Sequence, residues 1–207
     1  QRSGTNYLAY LIDRNFDQTK ALINAGGWKH GHYCAPWSIG QEVHVLTITK
    51  NPYSWLVSSY NYWKPDVSFD EYVRGRIVVE KQAGTPFLYR AANPVQHWNN
   101  MNYHWLSIRL NNKKSLAVPY ELLVLLPDRV VEGVGLELGL KAKSEFVNTL
   151  NIMLASEEHP RPSDEEWKDR DYYASDKFMD NYSNDLLKFV NDQLDSEVMG
   201  VLGYTFK

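Results

Sequence analysis

The sequence predicts an α/β protein, a three-layer sandwich built on a mostly parallel central sheet. Three observations carry that expectation. Val43-His44-Val45-Leu46-Thr47-Ile48-Thr49 is β-branched and almost uncharged, as a strand buried on both faces of a parallel sheet must be. A helical pattern follows at once: Pro52 suits a first helical position, and Trp55, Leu56, Ser59, Tyr60 and Trp63 recur at helical spacing. Leu116-Ala117-Val118 repeats the strand signature with helical patterns on either side, and such alternation builds layered α/β folds.

Taken in order, Tyr7, Leu8, Leu11 and Ile12 mark one face of a first helix running from Thr5 to Arg14. Lys20-Ala21-Leu22-Ile23 reads as a short strand ended by Asn24 and the Gly26-Gly27 turn. The strand at 43–49 and the helix from Pro52 to Trp63 come next. Ser68 with Glu71 is a capping-box pattern opening a helix over 68–75. Asn93 and Pro94 supply an N-cap and a first helical residue for a helix over 94–108. Further helices are expected at 128–139 and, in two pieces, at 183–202. Between Ala155 and Asp176, Pro160, Pro162 and many charges break any apolar period, so 155–176 reads as a surface loop or lid.

A chain of 207 residues with 43% hydrophobic content suits one domain, 1–207, with a core that needs no disulfides. Cys34 is the single cysteine and has no internal partner, which points to a reducing, cytoplasmic setting while leaving a disulfide-free secreted protein open. No run approaches the roughly 18 apolar residues of a membrane span. A net charge of −3 argues against a nucleic-acid partner. The charge is uneven: residues 1–64 hold six Lys or Arg against three Asp or Glu, a net of +3, so the rest of the chain carries −6. Oligomeric state is left open.

Two candidate anion sites lie in that positive third. Arg2-Ser3-Gly4-Thr5-Asn6-Tyr7 joins a small-residue turn and a hydroxyl to a helix start, the arrangement that wraps an anion in backbone N–H groups. It lacks the Gly-Lys-Ser/Thr ending of an ATP-binding loop. In the second, Lys50 leaves the C-terminal end of a strand, where ligands of parallel sheets collect. Ser54 and Ser58 share a face of the helix that follows.

Together these segments resemble the two donor loops of the PAPS-dependent sulfotransferases, closest to bacterial-type members. Arg2, Ser3, Gly4, Thr5, Asn6 and Tyr7 match the 5′-phosphosulfate loop, with Tyr7 bordering the adenine. Lys50 and Ser58 match the basic residue and the serine eight positions on that hold the 3′-phosphate. Lys50 stands where the family usually has Arg, which keeps the charge and removes the bidentate fork. Val118-Pro119-Tyr120-Glu121-Leu122-Leu123 resembles a later strand-end element that brings Tyr120 towards the adenine. The resemblance implies a P-loop-like sulfotransferase architecture that moves a sulfuryl group from PAPS to a hydroxyl or amine of a carbohydrate or other small acceptor, releasing PAP. It requires no metal. It also implies a strand upstream of Gln1, since the chain begins inside the loop.

Sulfuryl transfer to an alcohol needs a base for the acceptor proton, and histidine is suited to that near neutral pH. Trp28-Lys29-His30-Gly31-His32 supplies candidates. Many family members place a lysine and a nearby histidine here, so Lys29 is expected to stabilise charge on the bridging oxygen, with His30 as first choice of base and His32 as second. Arg2 joins them at the reacting centre. The family's Arg-Lys-Gly element is absent, leaving Arg170 or Lys177 as substitutes at the 3′-phosphate. His97 and His104, like Trp98 and Trp105, are seven apart on the helix over 94–108 and read first as core contacts. With Trp37, Tyr62 and Trp63 they alternatively form a stacking wall for the acceptor. Two rival readings share the same residues: a non-catalytic nucleotide- or glycan-binding module, and a phosphoryl-transfer enzyme of the P-loop type.

Overall fold

A computed structural model describes residues 4–17, 19–21, 43–79, 89–111, 114–149 and 170–207. The fold is mixed α/β. In chain order its elements are α1 (Thr5–Asn15), β1 (Val45–Thr49), α2 (Pro52–Trp63), α3 (Phe69–Arg74), β2 (Ile77–Val79), β3 (Tyr89–Ala91), α4 (Pro94–Asn111), β4 (Ser115–Pro119), α5 (Tyr120–Leu125), α6 (Pro127–Leu138), α7 (Arg170–Ala174), a 3₁₀ turn (Lys177–Asn181), α8 (Asn184–Gln193) and α9 (Ser196–Leu202).

β1 and β4 pair in parallel, with Val45 opposite Ser115 and Thr49 opposite Pro119. Successive side chains of a strand point to opposite faces, and the burial follows that rule. Leu46, Ile48, Leu116 and Val118 join a core with Tyr7, Leu8, Leu11, Ile12 and Phe16 of the α1 region and Val131 and Val134 of α6. Thr49 points the other way and meets Tyr204 Oη at 3.2 Å. On that side Trp98 of α4 donates Nε1 to Lys50 O at 2.9 Å, fastening α4 to the end of β1. A second core lies among α2, α3, α4, α8 and α9, around Tyr53, Leu56, Val73, Val95, Trp98, Phe178, Leu186 and Val190. The uncharged strand is thus covered on both faces.

Local chemistry explains the helix starts. Asn51 Oδ1 accepts from Tyr53 N and Ser54 N ahead of Pro52, leaving proline where its missing N–H costs nothing. Asn51→Ala is expected to cost about 1 kcal/mol in chemical denaturation. Ser68 and Glu71 form the full reciprocal capping box of α3. Asn15, 2% exposed, closes α1 by donating to Leu11 O and Val147 O and accepting from Val147 N, which pins the 142–149 segment to the helix.

The structure meets the expected architecture in part. Among the described residues the sheet is one parallel pair, and β2–β3 form a separate antiparallel ribbon. Lys20 and Ala21 are irregular, and the rest of that expected strand lies outside the described residues. Of the expected lid, 155–169 lie outside them as well, whereas Arg170–Ala174 is helical. Its aromatic pair anchors it: Tyr172 packs on Phe178 and Tyr173 on Tyr120, an apolar content the surrounding charges obscure. No described helix is long and apolar enough to cross a membrane.

Candidate functional site

The C-terminal ends of β1 and β4 lie side by side, so whatever follows each strand shares one edge of the sheet. Lys50 follows β1 and Tyr120 follows β4. Lys50 is 3% exposed, yet its ammonium is well provided for. Nζ donates to Ser58 Oγ at 3.2 Å and to Tyr173 Oη at 3.3 Å. It also lies 4.4 Å from the centre of the Tyr120 ring and 5.1 Å from that of Tyr173, within reach of cation–π attraction. The two rings meet edge to face at 5.3 Å, and Tyr173 Oη donates to Tyr120 Oη at 3.5 Å.

Gly4 completes the cluster from the other end of the sequence. It caps α1 with φ +72° and no side-chain capping bond, a left-handed conformation that favours glycine. A Cβ there would stand 2.9 Å from Tyr120 Cε2. The backbone turn therefore lies against the ring that covers Lys50. Three segments read separately in the sequence, around Gly4, around Lys50 and Ser58, and around Tyr120, meet at one aromatic ring.

The start of α2 is not itself an anion cradle. Its first-turn amides are taken up by Asn51 Oδ1, and Asn51 N donates to Glu121 Oε1 at 2.9 Å. Ser54 Oγ donates to Asn51 O at 3.1 Å and to Glu121 Oε1 at 3.4 Å, so Ser54 braces the junction while Ser58 faces Lys50. Glu121 Oε2 accepts from Tyr204 Oη at 3.2 Å, and the same hydroxyl meets Thr49. Burial, with the Glu121 charge adding to it, pushes the Tyr204 hydroxyl well above its usual range. Burial does the same to Tyr173, reinforced by Tyr120. Both stay neutral at physiological pH.

Of the expected site residues, Gly4, Thr5, Asn6, Tyr7, Lys50, Ser58 and Tyr120 are described, whereas Arg2, Ser3, Lys29, His30 and His32 lie outside the described residues. Tyr7 is 5% exposed in the α1 core, with Oη donating to Asn148 Oδ1 at 2.9 Å, because the third position of α1 faces the sheet. Trp98 is 2% exposed and packs in the core, as the first reading of that helix expects, while Tyr62 and Trp63 are exposed at the C-terminal end of α2. His97 packs against Trp55, and burial holds His104 below the usual imidazole range. Trp37 lies outside the described residues. Lys177 is exposed, and the Arg170 side chain is not among those described.

The chain matches no family model, no curated protein and no solved structure.

The site offers a buried ammonium and a serine hydroxyl 3.2 Å apart, beside a flat ring that also touches a left-handed glycine turn. Among the described residues no group of three His, Cys, Asp or Glu could hold a metal ion. Sequence reasoning missed Tyr173, Glu121 and Tyr204 as parts of this cluster. Only the Tyr-Glu pair after β4 hinted at Glu121.

Proposed function

We propose that the protein is a PAPS-dependent sulfotransferase acting on a hydroxyl or amine of a carbohydrate or other small acceptor and releasing PAP. The carrying observation is the meeting of the Gly4 turn, the Lys50–Ser58 pair and Tyr120 around one ring. In this reading Lys50 and Ser58 take the 3′-phosphate. Arg2, Ser3, Gly4, Thr5 and Asn6 hold the 5′-phosphosulfate, and Tyr120 stands between the two ends of the nucleotide. The acceptor oxygen attacks sulfur in line as the bond from sulfur to the bridging oxygen breaks. Lys29 stabilises the charge left on that oxygen, and His30, or His32 in its place, takes the acceptor proton. The reading includes a three-layer sandwich with β1–β4 inside its sheet and a cytoplasmic location.

Thermal unfolding with PAP tests it, using wild type, Arg2→Ala and Lys50→Met, with ATP plus magnesium as the competing ligand. A ligand at about 100 times its dissociation constant adds about 2.7 kcal/mol, roughly 5–10 °C for a domain of this size. The expected result is a PAP-specific shift in wild type that both variants lose. No shift in wild type overturns the reading, and a larger shift with ATP and magnesium favours phosphoryl transfer. Binding of PAP without turnover over an acceptor panel favours the non-catalytic module.

A further inference from the structure

The side chain that closes over Lys50 comes from neither sequence motif. Tyr173 belongs to α7, more than a hundred residues along the chain, and is 8% exposed. Its hydroxyl is shared between Lys50 Nζ at 3.3 Å and Tyr120 Oη at 3.5 Å. Its ring lies edge-on to Tyr120 and packs against Tyr172, which rests on Phe178 of the second core. Lys50 is thus sealed by an aromatic side chain anchored from another part of the fold.

We propose that Tyr173 is an internal latch on Lys50, occupying the position that a phosphate monoester takes and moving aside when one binds. The inference rests on the sulfotransferase reading for the identity of that ligand, the 3′-phosphate of PAP, and on the geometry alone for the latch. A phosphate dianion replaces a neutral hydroxyl with a full counter-charge, which adds direct Coulomb attraction to a hydrogen bond whose donor is already ionised. Because burial keeps Tyr173 protonated, its contact with Lys50 is ion to dipole and gives way to an anion. While the latch is closed only a fraction of molecules is competent to bind, which raises the apparent dissociation constant in proportion.

Tyr173→Phe removes the hydroxyl contact and keeps the ring, so the fold is retained. Two readouts separate the latch from the ligand. Reductive methylation, followed by peptide mass spectrometry, reports access to Lys50, with exposed Lys64 as internal standard. Calorimetric titration reports PAP affinity. The expected result is slow methylation of Lys50 in wild type, faster methylation in Tyr173→Phe, and about tenfold tighter PAP binding by the variant, as release from a mostly closed state requires. Equal Lys50 methylation in the two proteins overturns the latch whatever PAP does. Faster methylation in the variant with no PAP binding by either protein supports the latch and overturns the sulfotransferase reading instead.

Discussion

Trp98→Ala is expected to destabilise the protein by about 3–5 kcal/mol, a large share of the roughly 5–15 kcal/mol that holds a domain together. The indole is 2% exposed in the second core and carries the bond from Nε1 to Lys50 O. Alanine opens a cavity beside α2, α8 and α9 and also orphans a carbonyl at the end of β1. Trp98→Phe separates the two losses, keeping most of the packing and giving up the hydrogen bond at about 1–3 kcal/mol. Urea denaturation followed by far-ultraviolet circular dichroism measures both. A loss for alanine no greater than for phenylalanine would show that the indole's packing adds nothing beyond its N–H.

Gly4→Ala carries the second large effect. The left-handed backbone costs an alanine about 1–2 kcal/mol. The new methyl also meets Tyr120 Cε2 at 2.9 Å, Tyr120 Cδ2 at 3.1 Å and Leu123 Cδ2 at 3.2 Å, so the ring over Lys50 must shift. The sum is expected near 2–4 kcal/mol, with loss of the PAP-induced thermal shift. Gly139→Ala is the internal control. Its φ is +64°, but a Cβ there meets nothing within 4 Å, so it reports backbone strain alone. If the two substitutions cost the same and Gly4→Ala keeps its PAP response, the contact between turn and ring is of no consequence.

The elements legible in the sequence were those specified by their own residues. α1 followed from its four apolar positions, α3 from the Ser68–Glu71 pair, and the step from β1 into α2 from the β-branched run followed by Pro52. Lys50 and Ser58 were legible as a pair because a strand end and a helix face fix their separation locally. Other features rest on partners distant in sequence. β2 and β3 are three residues each and find one another only across the ribbon, too short for a period to emerge. α5 hides in a Pro-Tyr-Glu sequence that reads equally well as a turn. Tyr173 sits among charges, and only its burial against Tyr120 and Lys50 reveals it. Glu121 and Tyr204 belong to the site through a hydrogen-bond chain linking three parts of the fold, for which a linear pattern has no signature. Tyr7 packs into the core on the apolar face of α1 that its period marks.

The bond from Tyr204 to Thr49 and Glu121 has a consequence for how the protein is made. A ribosome delivers β1 early and its parallel partner β4 only after α2, α3 and α4, and non-local pairing of this kind slows folding. Tyr204 comes later still, and until it arrives the hydroxyl partner shared by Thr49 and Glu121 is missing. The edge of the sheet that carries Lys50 and Tyr120 is therefore expected to be the last region to become rigid on the nascent chain. Pulse proteolysis of stalled nascent chains would detect this as protection around residues 49–51 that appears only once residue 204 has cleared the exit tunnel.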